Sequence, residues 1–329
     1  MANRVMRAIR VAQFGAPEVM KVAADVPIPK PASQQVLIRV HAAGINPVET
    51  YIRDGNYGNL PTLPFTPGGD AAGVVEDVGP DVTDFKKGER VYTIRTVTGS
   101  YAEYTVASTD FTFRLPDGLN YPQGAAAGLP YFTAYKALIL RGTPKPGETV
   151  LIHGASGTVG IAACQLARSI GLKVIGTAGS EEGTKIVLQN KAHLAFNHRE
   201  AGYDEKIKEA TGGRGVDVIL EMLANVNLER DLGLIASRGR IVIIGNRGTI
   251  EINPRGTMAK ECDIRGMATF ASTPEEWKIM AAGVNAGLES GALVPHVGFQ
   301  YSMADAPKAH VQVLNQEGGA KGRIVLLTS

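Results

Sequence analysis

Residues 149–168, TVLIHGASGTVGIAACQLAR, join a short apolar strand to a helical pattern through a glycine turn. Val150–Ile152 predict a buried strand, and Gly157 and Gly160 open the helix that follows. Because glycine has no side chain, the backbone of such a turn can approach a phosphate, and the helix N-terminus offers unpaired N–H groups. Ala155 replaces the first glycine of the fingerprint G-x-G-x-x-G, so that motif is matched only in part. The stretch predicts the pyrophosphate site of a dinucleotide.

The composition is that of a globular protein that needs neither disulfides nor a metal to fold. The chain has 329 residues, of which 44% are hydrophobic and 20% charged, with a formal net charge of +2. This length suits two domains. Cys164 and Cys262 are too few for a disulfide framework or a four-thiolate zinc site. The small net charge does not favour a polyanionic partner, and no apolar run predicts a membrane span. We expect a cytoplasmic protein.

The order of the predicted elements divides the chain into two domains. Short strands separated by Gly and Pro occupy residues 1–125 and indicate an irregular, mostly β domain. Strands and helices alternate in 126–269, which indicates an α/β fold with a doubly wound parallel sheet, the Rossmann arrangement. The alternation is lost in 270–329, where a long helix and a strand at Arg323–Leu327 are expected to rejoin the first domain.

The end of the second strand of the nucleotide-binding domain predicts the cofactor. In NAD-binding domains an Asp or Glu here accepts hydrogen bonds from the adenosine ribose. This strand ends with Thr177-Ala178-Gly179-Ser180 and has no such acid. Since a carboxylate would repel a 2′-phosphate, its absence favours NADPH. No basic partner is obvious nearby, because Glu181 and Glu182 follow. His198 or Arg199, after the third strand, can reach the same phosphate or can be exposed loop residues.

Two later turns are expected at the same edge of the sheet. Ile244, Gly245, Asn246 and Arg247 follow the fifth strand, at the carboxyl edge where open α/β sheets bind ligands. The pattern does not decide whether Arg247 faces phosphate or solvent. The backbone at 267–269, after the next strand, is similarly placed for the nicotinamide amide.

The glycine stretch, extended to GETVLIHGASGTVGIAACQLAR, resembles the signature of quinone oxidoreductases of the medium-chain dehydrogenase/reductase superfamily. The resemblance is to the zeta-crystallin group and covers essentially the whole chain, including GINPVETYIRDGNY (44–57), LEMLANVNL (220–228) and RGTIEINPRGTMAKE (247–261). Thr158 departs from the signature, which usually has a second glycine there. The resemblance implies a GroES-like catalytic domain, NADPH:quinone reductase activity and a homotetramer.

The resemblance also implies a set of cofactor contacts. These are Tyr51, Ser156, Gly157, Thr158, Val159, Gly179, His198, Asn227, Ile244, Gly245, Asn246, Arg247, Met267, Ala268 and Thr269. Reasoning from the residues alone indicates several of these positions, but it indicates neither Tyr51 nor Asn227.

The positions that bind catalytic zinc in alcohol dehydrogenases of this superfamily hold other residues here. Asn46, in GINP, stands in the place of a cysteine, and Gly69, in PGGD, stands in the place of a histidine. Neither supplies the thiolate or imidazole that zinc prefers. The loop with four structural cysteines is missing, and the six histidines show no ligand spacing. We therefore predict that the protein carries no catalytic zinc.

A quinone suits a site without a Lewis acid, because its reduced product is aromatic and its charge is delocalised. NADPH supplies the reducing power, and the protein supplies orientation and a dry site. We predict that Asn46, Tyr51 and Tyr57 form the polar lining that donates hydrogen bonds toward a quinone oxygen or the nicotinamide. Two alternatives stay open. One is reduction of enals or enones; the other, implied by the resemblance, is binding of AU-rich mRNA or a structural role in the lens, and no RNP-type motif supports RNA binding.

Overall fold

The computed structural model describes residues 4–315 and 318–328. Its strands are β1 (Val5–Val11), β2 (Met20–Pro27), β3 (Gln35–Gly44), β4 (Asp70–Val78), β5 (Arg90–Thr93), β6 (Tyr104–Ser108), β7 (Thr112–Arg114), β8 (Thr149–Ile152), β9 (Lys173–Ala178), β10 (Leu194–Asn197), β11 (Val216–Glu221), β12 (Ile235–Ile243), β13 (Asp263–Gly266), β14 (Val297–Ser302) and β15 (Arg323–Leu327). Its helices are α1 (Pro47–Asp54), α2 (Tyr121–Tyr135), α3 (Thr158–Ser169), α4 (Glu181–Gln189), α5 (Tyr203–Ala210), α6 (Ala224–Leu234), α7 (Arg255–Lys260), α8 (Pro274–Glu289) and α9 (Ala306–Asn315). No helix in these residues is long and apolar enough to cross a membrane.

The contacts between residues divide the described chain into two compact units. The first unit comprises residues 4–129, 295–315 and 323–328, and the second comprises residues 130–294 and 318–322. This differs from our prediction, which assigned everything after residue 269 to the first domain. Helix α8 belongs to the second unit because Trp277 packs against Phe132, with the ring centroids 6.0 Å apart.

The first unit is the mostly β domain that the sequence predicts. Its main sheet has the strand order β14-β15-β3-β4-β5-β7; β6 also pairs with β3, and β1 pairs with β2 separately. Strand β3 has partners on both sides, so most of its residues are buried. The apolar core of this unit includes Ile9, Val40, Tyr101 and Leu326. The first helix, α1, starts shortly after β3 ends, which ties its N-terminus to the sheet.

The second unit has a six-stranded sheet with the order β10-β9-β8-β11-β12-β13. All neighbouring strands are parallel. This is the Rossmann order, and its direction reverses between β8 and β11, where such folds bind dinucleotides. Every residue of β8 is buried, as expected for a strand of a parallel sheet covered on both faces. The predicted α/β fold class is confirmed.

Candidate active site

The glycine turn connects β8 to α3 and has the backbone geometry that a phosphate site requires. Gly154 has φ of +57°, and a Cβ at Gly160 would lie 2.5 Å from the Cα of Ala155. Both positions therefore favour glycine strongly. Thr158 is the first residue of α3 and has no positive φ, so its Cβ leaves the turn intact. The N-cap, Gly157, provides no side-chain cap, which suits a helix N-terminus that binds an anion.

The end of β9 carries no acidic residue, and two basic residues, His198 and Arg199, lie beside it. Ser180 is the N-cap of α4, and its Oγ accepts a hydrogen bond from the Gly183 N–H at 3.1 Å. A Cβ built at Gly179 would lie 3.1 Å from Nε2 of His198 and 3.3 Å from Nε of Arg199. Both side chains named in the sequence analysis therefore lie against the predicted ribose position.

The turns after β12 and β13 lie at the same carboxyl edge of the sheet. The N–H groups of Ile244 and Gly245 both donate to the carbonyl of Glu221, at 2.8 and 3.3 Å. Thr269 is buried, and its Oγ1 lies 2.8 Å from Oγ1 of Thr133. Asn246, Arg247 and Ala268 are exposed, whereas Met267 is half-buried. The structure thus brings all the predicted contacts of the nucleotide-binding unit to one edge.

Glu221, the last residue of β11, is a buried acid that our sequence reasoning missed. Its Oε1 accepts hydrogen bonds from the Leu223 N–H and from Nδ2 of Asn227, the latter at 3.1 Å. Its Oε2 is buried, has no hydrogen-bond partner among the described residues, and lies 3.6 Å from Nε2 of His153. The same Nε2 lies 2.9 Å from Oδ1 of Asp231. The available signal was an acid at the end of an otherwise apolar strand.

The protonation states of the three side chains in this cluster depend on one another. His153, Glu221 and Asp231 are all buried, and their ligating atoms lie within 4.8 Å of one another, so they have the chemistry of a metal-binding group. Burial raises the pKa of Glu221 to about 7. Burial alone would lower the pKa of His153, but the carboxylate of Asp231 raises it overall. Because two buried carboxylates repel each other, a proton held within the cluster accounts for the arrangement.

Asn46 is the N-cap of α1, the helix that carries Tyr51. Its Nδ2 donates to Oε1 of Glu49 at 3.1 Å and to Oδ2 of Asp70 at 2.9 Å, and its Oδ1 accepts from Nη1 of Arg323 at 2.7 Å. The residue is only 4% exposed. Both amide hydrogens are thus committed within the first unit, so Asn46 has none left for a ligand in this arrangement. The geometry favours a positioning role at the start of α1.

Asn46 and Gly69, the two positions compared above with zinc ligands, are part of the same hydrogen-bond network. Nη2 of Arg323 lies 2.6 Å from Oδ2 of Asp70, and both side chains are buried. The N–H of Gly69 donates to Oε1 of Glu49 at 2.9 Å. Burial raises the pKa of Asp70 to about 6, although Arg323 opposes this rise. A guanidinium of the chain itself therefore supplies the positive charge here, and neither Gly69 nor the engaged amide of Asn46 fits zinc.

A chain of hydrogen bonds continues from Glu49 to the other end of α1. The hydroxyl of Tyr101 donates to Oε2 of Glu49 at 2.7 Å and lies 3.0 Å from Nε2 of His310. Nη1 of Arg53 lies 3.3 Å from Nδ1 of the same histidine. Since arginine can only donate, Nδ1 is assigned as the acceptor and Nε2 carries the hydrogen. Burial lowers the pKa of His310 to about 3, so this residue is neutral at pH 7.

The two tyrosines of the predicted polar lining differ in their surroundings. Tyr51 is half-buried on α1, and Gly55 ends this helix in the left-handed conformation. Tyr57 follows in the loop and is 38% exposed. The networks that fix both ends of α1 therefore also fix the backbone of Tyr51, whereas Tyr57 lies beyond the helix.

Known proteins match both units. Residues 32–117 match the family described as alcohol dehydrogenase GroES-like domain, and residues 158–285 match zinc-binding dehydrogenase. The quinone oxidoreductase of Homo sapiens is 55% identical over 325 residues, which cover 99% of this chain and 98% of that protein.

Two solved structures show that the fold alone does not identify the cofactor. Escherichia coli quinone oxidoreductase complexed with NADPH has a TM-score of 0.86 and 31% identity, covering 98% of this chain and 100% of that one. An NAD-dependent alcohol dehydrogenase has a TM-score of 0.90 and 26% identity, with the same coverage. Since the same fold occurs in proteins described with either cofactor, the cofactor has to be inferred from the residues at the end of β9.

Proposed function

The chain belongs to the quinone oxidoreductases of the medium-chain dehydrogenase/reductase superfamily and is an oxidoreductase, and we propose that it reduces quinones with NADPH and without zinc. The observation that carries the proposal is the buried network of Asn46, Asp70 and Arg323, which engages the side chain at the position that the resemblance assigns to a zinc-binding cysteine. A substrate reduced there must need no Lewis acid, and a quinone meets this condition.

NADPH fits the residues of the second unit. The turn from Gly154 to Gly160 allows close approach of a pyrophosphate, and the uncapped start of α3 favours negative charge. The strand end at Gly179 and Ser180 has no carboxylate to repel a 2′-phosphate. When bound, NADPH supplies the hydride.

The chain's own residues would then bind and orient the cofactor and the substrate, and would exclude water from them. Residues 244–247 and 267–269 would hold the nicotinamide half of the cofactor, and Asn227 is held by Glu221 at the same edge. We assign the Tyr51 hydroxyl to the substrate: it would donate a hydrogen bond to the quinone oxygen on which negative charge develops. Asn46 would keep α1 in place.

A substrate panel tests the proposed reaction. Steady-state rates with NADPH would be measured for several quinones and for enals and enones of matched size. We expect kcat/KM to be higher for the quinones, because a quinone needs no Lewis acid to polarise it. Strong turnover of enones with negligible turnover of quinones would contradict the proposal and favour an alkene reductase.

The family resemblance extends the proposal to the assembly and its partners. We expect a cytoplasmic homotetramer, with a mass by light scattering of four times 34.8 kDa. Binding of AU-rich mRNA stays a prediction from the resemblance. Titration of such an RNA with and without NADPH tests it: competition indicates the cofactor site, and binding that NADPH leaves unchanged indicates another surface.

A further inference from the structure

A segment near the C-terminus folds onto the predicted nucleotide site. Residues 318–322 belong to the second unit, although residues 295–315 and 323–328 belong to the first. The Gly322 N–H donates to the carbonyl of Ser156 in the glycine turn at 2.8 Å. Gly319 has φ of +88°, and a Cβ there would lie 3.3 Å from Oγ of Ser180. The segment therefore extends from the phosphate turn to the end of β9.

Lys321 lies between these two contacts and brings a positive charge to them. Its Nζ lies 2.5 Å from Oε2 of Glu182, and its side chain is 27% exposed. Glu182 is the second residue of α4, directly after the N-cap Ser180 and Glu181. The ribose that carries the 2′-phosphate is held at this strand end in dinucleotide-binding folds. The distant segment thus adds a second cation, besides Arg199, at this strand end.

The charges at the start of α4 show why a cation is needed there. Without partners, the carboxylates of Glu181 and Glu182 would repel a phosphate bound at Ser180. Lys185 pairs with Glu181 at 2.8 Å, within the same helix, whereas Lys321 pairs with Glu182 from another part of the chain.

We propose that Lys321 is a specificity-determining residue that binds the 2′-phosphate of NADPH. This inference rests on the cofactor assigned under the proposed function and adds the residue that selects it. A phosphate monoester carries a charge of about −1.5 to −2 and has three acceptor oxygens, so it is a stronger partner for the ammonium group than Glu182. Arg199 faces the same strand end from the β10 side. NADH has a hydroxyl at this position and gains no ion pair.

Two nucleotides that differ only in the 2′-phosphate test the inference. Isothermal titration would measure 2′,5′-ADP and 5′-AMP, and then NADPH and NADH, with the wild-type protein and with Lys321→Ala. We expect the variant to bind 2′,5′-ADP and NADPH about ten- to a hundredfold more weakly, the range of a hydrogen bond to a charged group. Binding of 5′-AMP and NADH should change less than twofold.

Three further variants separate charge from structure. Lys206→Ala removes a lysine that pairs with Glu200 at 3.1 Å in the same unit, and it should leave all four affinities unchanged. Lys321→Arg should restore most of the preference for 2′,5′-ADP. Glu182→Gln should strengthen binding of 2′,5′-ADP, because Lys321 loses its competing partner.

The outcomes distinguish this inference from the proposal on which it rests. A wild-type protein that binds NADPH and NADH equally would overturn both. A wild-type preference for NADPH that Lys321→Ala leaves unchanged would overturn the role of Lys321 alone. Equal weakening of 2′,5′-ADP and 5′-AMP, with a lowered melting temperature, would show that Lys321 only holds the segment 318–322 in place.

Discussion

Asn46 illustrates how a change of one residue type alters what a site can do. A cysteine there could bind zinc, but the amide instead joins Asp70 and Arg323 in a network whose charges come from the chain. The sequence predicts that this amide donates hydrogen bonds toward a ligand, whereas both of its hydrogens are engaged by Glu49 and Asp70. It could not show that the amide is saturated, because Asp70 and Arg323 are 24 and 277 residues away.

Arg323→Met tests how much this network contributes to the free energy of unfolding. The substitution keeps much of the side-chain volume but leaves Asp70 buried without its cation, so we expect the free energy of unfolding at pH 8 to fall by about 3–5 kcal/mol. The loss should be smaller at pH 5, because Asp70, with a pKa of about 6, is then mostly protonated. Urea denaturation at both pH values measures the effect. Arg247→Met, at an exposed position, serves as control; equal losses in the two variants would show that the buried ion pair adds nothing to stability.

Tyr51→Phe tests the hydroxyl that we assign to the substrate. Phenylalanine preserves the ring on α1, so the melting temperature should shift by no more than about 2 °C. We expect kcat with quinones to fall about ten- to a hundredfold, since one hydrogen bond to developing charge is lost. Tyr57→Phe is the matched variant in the loop. A large loss of stability with normal turnover would show that the Tyr51 hydroxyl has a structural role and does not act on the substrate.

At the scale of elements, the parallel sheet was the easiest part to predict. Its strands are short apolar runs, its helices are amphipathic, and both patterns come from neighbours in sequence. The glycine turn could be predicted equally well, because φ at Gly154 and the close approach at Gly160 depend on the local backbone. The cluster of His153, Glu221 and Asp231 could not be predicted, since these residues come from the turn after β8, the end of β11 and helix α6.

Glu221→Gln tests the protonation of that cluster. An acid whose pKa is raised in the folded protein, here to about 7, binds more protons in the native than in the unfolded state between pH 4.3 and 7. Stability from this group is therefore lost as the pH rises through that window. Glutamine cannot ionise, so we expect the variant to be more stable than wild type by about 1–3 kcal/mol at pH 8.5. At pH 5.5 the two proteins should be nearly equal.

Thermal unfolding at the two pH values makes this comparison. Glu209→Gln, at an exposed position of α5, is the control and should follow the wild type at both. A Glu221→Gln variant that is less stable than wild type at pH 8.5 would show that the cluster needs an ionised Glu221.

At the scale of the whole molecule, the sequence predicted two domains and their fold types but misassigned parts of the last sixty residues. Helix α8 has the amphipathic pattern of any surface helix, and its contacts with the second unit, among them Trp277 with Phe132 and Glu276 with Lys136, decide that it belongs there. Lys321 had no local signal for the same reason: its partner, Glu182, is 139 positions earlier in the chain. Long-range pairing of this kind is set by topology, not by periodicity.

We propose that quinone reduction by this protein needs NADPH but no zinc. The most direct test removes bound metal with a chelator, verifies the metal content by elemental analysis, and measures kcat/KM for a quinone with NADPH before and after. We expect full activity at a zinc content far below one ion per chain, with no increase when zinc is added. Loss of activity on chelation, with recovery when one equivalent of zinc is restored, would contradict it.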